Sequence, residues 1–207
     1  MKFLFNKKVK QNTDNTTIIV SGLPRSGTSM MMQMLEAGGL RIMTDGIRTA
    51  DDNNLKGYYE FEKTKKIMDD ASWIPDCTGK AVKIVSPLLY YLPGNYYYRI
   101  IFMERDMNEI INSQNKMLER LNNKGTSLPD RDMIRKNSDH IRDIKKWISA
   151  KNNIDVIYIK YNDIINNSVQ KANLINKFLG NKLDAGKMAS VADKSLYRQR
   201  ANSTGSV

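Results

Sequence analysis

The chain has 207 residues, 41% of them hydrophobic and 27% charged, with a formal net charge of +11. That is enough for one α/β domain with a full core and too little for two, in a composition ordinary for a globular protein. A single cysteine, Cys77, excludes a disulfide framework and any cysteine-rich zinc site.

The positive charge points to an anionic ligand, an acidic acceptor or a nucleic-acid surface, and does not choose among them. Its dispersal along the chain, with no compact recognition motif, disfavours nucleic acid. No run approaches the length of a membrane-spanning helix, and the apolar stretch in residues 1–8 is too short for a signal peptide, so the expectation is a cytosolic protein.

In chain order, residues 1–15 are basic and polar and read as a flexible lead-in. A single domain is expected over 16–200, and a disordered tail over 201–207. Thr16-Thr17-Ile18-Ile19-Val20 is a β-branched run that predicts a buried strand. Ser21-Gly22-Leu23-Pro24-Arg25-Ser26-Gly27-Thr28-Ser29 follows, then a methionine-rich helix that ends near Gly38-Gly39. Methionines cover most of that helix, as suits one packed on a sheet. Residues 40–59 show no sustained period and carry Asp45, Asp51 and Asp52, and a short charged helix is expected over 60–70. Further strands are predicted at 80–85, 96–103 and 154–159. Asp106 is a candidate N-cap for a helix ending near Arg120, 121–128 reads as a polar loop, and 129–150 as a long helix. One helix is expected to begin near Tyr161 and to stop at Gly180, with another short one within 181–192.

Strand and helix alternate throughout. The expected fold is α/β: a three-layer domain with a mainly parallel central sheet and helices on both faces. Ligands of such sheets bind beyond the carboxyl ends of the strands, where the Gly22–Gly27 loop, the Glu104-Arg105-Asp106 turn and Tyr161 all fall. In the loop, two glycines permit a sharp turn, so that successive N–H groups and a helix N-terminus can converge on one anion. Ser26, Thr28 and Ser29 add hydroxyls. The spacing fits the phosphate-loop pattern G-x-x-x-x-G-K-[ST], except that Thr28 stands in the lysine position and a cation appears earlier, as Arg25. Without that lysine, ordinary ATP or GTP hydrolysis is disfavoured.

Gly22-Leu23-Pro24-Arg25-Ser26-Gly27-Thr28-Ser29 resembles the 5′-phosphosulfate loop of sulfotransferases, in the P-R-S-G-T-[ST] form of the tyrosylprotein and bacterial branches. Residues 53–62 are similar to the family's N-P-x-G-[YF]-[WYF]-E segment, with Leu55 in place of proline. Arg105 and Ser113 stand at the spacing of the pair that holds the 3′-phosphate of the donor, 3′-phosphoadenosine 5′-phosphosulfate (PAPS). Tyr161-Asn162-Asp163-Ile164 with Phe178-Leu179-Gly180 looks like Y-E-[DQ]-L followed by F-L-G, which implies Tyr161 beside the adenine. The resemblance implies PAPS as donor and adenosine 3′,5′-bisphosphate (PAP) as product. The implied donor contacts are Arg25, Ser26, Gly27, Thr28, Ser29, Arg105, Ser113, Tyr161 and, in the basic C-terminal stretch, Arg198.

Sulfuryl transfer by in-line displacement asks mainly for positioning and for stabilisation of the charge that builds on the leaving oxygen. Arg25 is the first candidate for the stabilising cation, Lys83 the second, and Lys80 a rival to Lys83. For the general base the family suggests Asp45, with Glu60 and Asp51 as rivals. No metal is required and no ligand constellation for one stands out. His140 reads as a surface or packing residue. A small-molecule, carbohydrate or peptide acceptor is expected, and Tyr58, Tyr59, Tyr96 and Tyr97 are either pocket residues or packing. Three other readings stay open: a P-loop kinase or NTPase, a nucleic-acid-binding protein, and a sulfotransferase fold that binds nucleotide without catalysis.

Overall fold

The computed structural model describes residues 16–46, 59–120 and 129–192. The expected lead-in, polar loop and tail, together with Asp51, most of 53–62 and Arg198, lie outside those residues. β1 (Thr17–Gly22) is the middle strand of a five-stranded parallel sheet, order β2-β3-β1-β4-β5. The other strands are β2 (Ile42–Met43), β3 (Ala81–Lys83), β4 (Tyr98–Glu104) and β5 (Ile154–Lys160). Every residue of β1 is buried, which accounts for its continuous β-branched run: a central parallel strand is covered on both faces.

Among the described residues, six helices accompany the sheet: α1 (Thr28–Ala37), α2 (Met107–Arg120), α3 (Asp130–Ser149), α4 (Tyr161–Asn166), α5 (Ser168–Phe178) and α6 (Ala185–Ser190). Alternate strand residues divide the interior into two cores. Ile18, Val20, Ile101 and Met103 face α1, α4, α5 and α6, and pack with Met31, Met34, Leu35 and Ile175. Ile19, Val82, Ile100 and Phe102 face the other way, toward Trp73, Leu89 and the α3 residues Ile144 and Ile148. Complete burial of each such side chain is worth about 1.5–3 kcal/mol, so both layers are firmly held. The three-layer α/β architecture is the expected one.

Details differ from the expectation. β2 is an edge strand of 2 residues, too short to leave any period in the sequence. The charged segment after Phe61 is a 3-10 turn, Glu62–Lys66, because the Thr64 amide and hydroxyl both bond the Phe61 carbonyl, at 2.9 and 2.8 Å. β3 is shorter than predicted, since Pro87 turns the chain into a second 3-10 segment, Ser86–Tyr91. The helix expected from Tyr161 is broken at Asn167, whose φ of −138° and ψ of 51° leave the helical region. Asp106 does cap α2: its Oδ1 accepts from the amides of Asn108 (2.9 Å) and Glu109 (3.2 Å).

Candidate active site

All five strands point the same way, so the residues that follow them share one edge of the sheet. The loop after β1 is held in shape by its glycines. Gly27 has φ 99°, and a Cβ there would lie 2.4 Å from Cδ2 of Tyr161. At Gly22 (φ 145°), a Cβ would lie 2.6 Å from the Met103 carbonyl oxygen of β4. No larger residue fits either place without displacing backbone or a buried ring. Gly27 is also the N-cap of α1, with no side-chain cap and no acidic residue in the first turn. The first-turn amides of α1 have no intrahelical acceptor, and the helix dipole adds positive potential there.

Arg25 takes a left-handed backbone conformation, φ 70°, unusual for a residue with a side chain. This turns its carbonyl toward Arg105, whose Nη1 donates to it at 3.1 Å. Its own side chain reaches α2, where Nε donates to Oγ of Ser113 at 2.9 Å. Loop and helix, 88 residues apart in sequence, are thereby locked together. The Arg105 guanidinium lies 4.6 Å from the centre of the Tyr161 ring, the same ring that closes over Gly27. Thus Arg25, Gly27, Arg105, Ser113 and Tyr161 form one constellation. Ser26 turns its hydroxyl inward, buried and without a hydrogen-bond partner, while its amide donates to the Leu23 carbonyl (3.1 Å).

The sequence reading did not single out Glu109. It is buried at 1% exposure, and its Oε2 accepts from Arg105 Nε at 2.8 Å. The i,i+4 spacing of Arg105 and Glu109 across the start of a helix was the available signal.

A second group lies beyond β3. Lys83, the last residue of that strand, is 9% exposed, and its Nζ is 3.8 Å from Oε1 of Glu60. Lys65 approaches the other Glu60 oxygen at 3.5 Å. Asp45 serves the local backbone: its Oδ2 accepts from the Glu62 amide at 2.6 Å. Thr44 Oγ1 donates to the Glu60 carbonyl at 2.9 Å, so the chain after β2 holds the segment that carries Glu60.

Several other candidates lie elsewhere. Lys80 precedes β3, and its carbonyl accepts from the Ile18 amide at 3.1 Å, at the opposite edge of the sheet. Tyr96 and Tyr97 precede β4 at that same far edge, where Tyr97 accepts from the Thr17 amide (3.2 Å), so they cannot line a pocket beside the loop. Tyr59 donates to Glu36 Oε2 at 2.7 Å, and burial together with that carboxylate pushes its phenol far above the ordinary value. His140 is a packing residue of α3: its Nε2 is 2.9 Å from Ser86 Oγ, and burial holds its pKa below 6.5. Cys77 is fully buried, its thiol pushed up to about 11 mainly by burial, and is no nucleophile at neutral pH. Among the described residues no group of His, Cys, Asp and Glu could hold a metal ion, and no helix is long and apolar enough to cross a membrane.

The family model of the sulfotransferase domain matches residues 15–203. The chain belongs to the sulfotransferase family. Among solved structures, this sulfotransferase chain resembles retinol dehydratase in complex with androsterone and inactive cofactor PAP, with a TM-score of 0.50 at 15% identity. It also resembles mouse sulfotransferase SULT7A1 complexed with PAP, with a TM-score of 0.51 at 19% identity. The two alignments cover 84% and 87% of this chain, but only 62% and 66% of those proteins. No curated protein matches the chain.

Proposed function

We propose that the chain is a PAPS-dependent sulfotransferase that moves a sulfuryl group to a hydroxyl or amine by in-line displacement. The observation that carries this reading is the lock between Arg25 of the loop and Arg105 and Ser113 of the β4–α2 junction. It sets an uncapped helix N-terminus beside the Arg25 and Arg105 guanidiniums, an arrangement suited to a nucleotide with phosphate at both ends. The donor's 5′ end would lie on the amides of Gly27, Thr28 and Ser29. Its 3′-phosphate would meet Arg105 and Ser113; the Ser113 hydroxyl accepts from Arg25 and keeps its own proton to donate. Tyr161 would face the adenine. Ser26 would complete the cradle from within the loop, where its amide donates to the Leu23 carbonyl at 3.1 Å, and Arg198 is a further contact proposed from sequence alone.

PAPS supplies an activated sulfuryl group and a leaving phosphate. As the acceptor oxygen or nitrogen forms its bond to sulfur, the bond from sulfur to the bridging oxygen breaks and its electron pair goes to that oxygen. Arg25 and Lys83 stabilise the charge gathered there. Glu60 takes the acceptor's proton; of the candidate bases it is the carboxylate beside Lys83, whereas Asp45 closes a turn. Small molecules, carbohydrates and peptides all remain acceptor classes for this site.

Calorimetric titration of the chain with PAP, and separately with ATP plus magnesium, tests the reading. PAP should bind more tightly than ATP or AMP, because only it presents a 3′-phosphate. Tighter binding of magnesium-ATP would favour the NTPase reading.

A further inference from the structure

We propose that Glu109 is a positioning residue of this site, whose buried carboxylate orients Arg105 and so sets the preference for a 3′-phosphorylated nucleotide. The inference rests on the nucleotide reading above. Carboxylates are seldom fully buried unless paired, and here the Arg105 and Glu109 side chains are only 8% and 2% exposed. The ion pair occupies the crossing of three elements. Glu109 lies in the first turn of α2, and Arg105 follows β4. From α4, Asn162 Nδ2 is 3.5 Å from the second Glu109 oxygen.

A guanidinium is planar, so two in-plane hydrogen bonds define how it faces a ligand. Arg105 has one from Nε to Glu109 (2.8 Å) and one from Nη1 to the Arg25 carbonyl (3.1 Å), with its face 4.6 Å from the Tyr161 ring centre. Of these three restraints, the carboxylate is the only one that bears charge. The αL carbonyl of Arg25 and the Tyr161 ring also belong to the loop and adenine ends of the site. Glu109 therefore keeps in register the cation that joins both ends of the nucleotide. Loss of its reach should cost the directional contact to a 3′-phosphate more than general attraction for anions, which added positive charge would preserve.

The test measures PAP and AMP affinities by calorimetry, with thermal unfolding in parallel, for Glu109→Ala, Glu109→Gln and Glu109→Asp. The PAP-over-AMP preference should fall about tenfold in Glu109→Ala, equivalent to about 1.4 kcal/mol. Glu109→Gln, whose carbonyl still accepts from Nε, should keep the preference within about threefold of the unmutated chain. Should Glu109→Ala fail to fold, Glu109→Asp decides the matter: charge is retained, one methylene of reach is lost, and the preference should still fall. In an Arg105→Ala background, replacing Glu109 should leave the preference unaltered. A purely structural Glu109 would lower the unfolding temperature with the preference intact, and that result would overturn the proposal. An unmutated chain that binds PAP and AMP alike would overturn the nucleotide reading as well.

Discussion

Arg25 combines a left-handed backbone with two contacts that pull in different directions, its carbonyl given to Arg105 and its side chain to Ser113. A residue kept in such a conformation persists only where its surroundings over-determine it. If its cation serves mainly the charge that develops on the leaving oxygen, its loss should slow turnover far more than it weakens binding. Arg25→Ala should hold PAP within about tenfold of the unmutated affinity yet lose on the order of a hundredfold in turnover, with PAPS hydrolysis by water as the assay when no acceptor is at hand. Normal turnover in Arg25→Ala alongside a dead Lys83→Ala would transfer the role to Lys83. Gly27 provides a steric test of the same loop. Gly27→Ala adds overpacking against Tyr161 to left-handed strain, so it should destabilise by about 2–4 kcal/mol in urea unfolding. Adding Tyr161→Leu should return the packing part and leave the strain.

Among the elements, the chain segment between β2 and β3 decides which carboxylate does chemistry. Asp45 is tied to the Glu62 amide and Glu60 is set 3.8 Å from Lys83, so their replacements should part company. Glu60→Gln should lower turnover by about 10²–10⁴ at unchanged PAP affinity, the usual contribution of a general base. Asp45→Ala should retain most turnover while costing about 0.5–1.5 kcal/mol of stability, the worth of one hydrogen bond. Comparable turnover losses in both would return Asp45 to the chemistry. This pair also marks how far the sequence was legible. The phosphate loop, Arg105 and Tyr161 could be assigned to one edge because each follows a strand with a strong β-branched or aromatic pattern, and parallel strands deliver their ends to one edge. Ser113, inside α2, was marked only by the family resemblance and its spacing from Arg105. Glu60 and Asp45 lie in a stretch without period, around a strand of 2 residues, so nothing local ranked one over the other. Glu109 was missed because a carboxylate in a first helical turn ordinarily reads as a response to the helix dipole. The break at Asn167 carries no proline or glycine to announce it.

The molecule as a whole is a sheet between two unlike layers, and the α3 layer contains a titrating group that packs on the turn after β3. His140 is the single histidine in the chain. It is half-buried between α3 and the Ser86–Tyr91 turn, with its Nε2 2.9 Å from Ser86 Oγ and the Tyr90 ring 6.3 Å from its own. Burial lowers its pKa below 6.5, and Asp143, one turn along the helix, opposes that only in part. The unfolded chain therefore takes up a proton at this position at a higher pH than the folded chain does. Above the unfolded value both states are neutral and the full stabilisation is present; as pH falls below 6.5 toward the folded value, that stabilisation is lost. Other groups also titrate in acid, so the informative quantity is the difference in urea midpoint between the unmutated chain and His140→Gln, which packs similarly and stays neutral. That difference should shift against the unmutated chain between about pH 7.5 and about pH 5.5, and level off once the folded imidazole is protonated as well. Because the hydrogen bond of His140 goes to Ser86 rather than to the loop or Arg105, PAP affinity in His140→Gln should match the unmutated chain at both pH values. A midpoint difference that stays constant would show that α3 docks with no energetic dependence on the charge of His140.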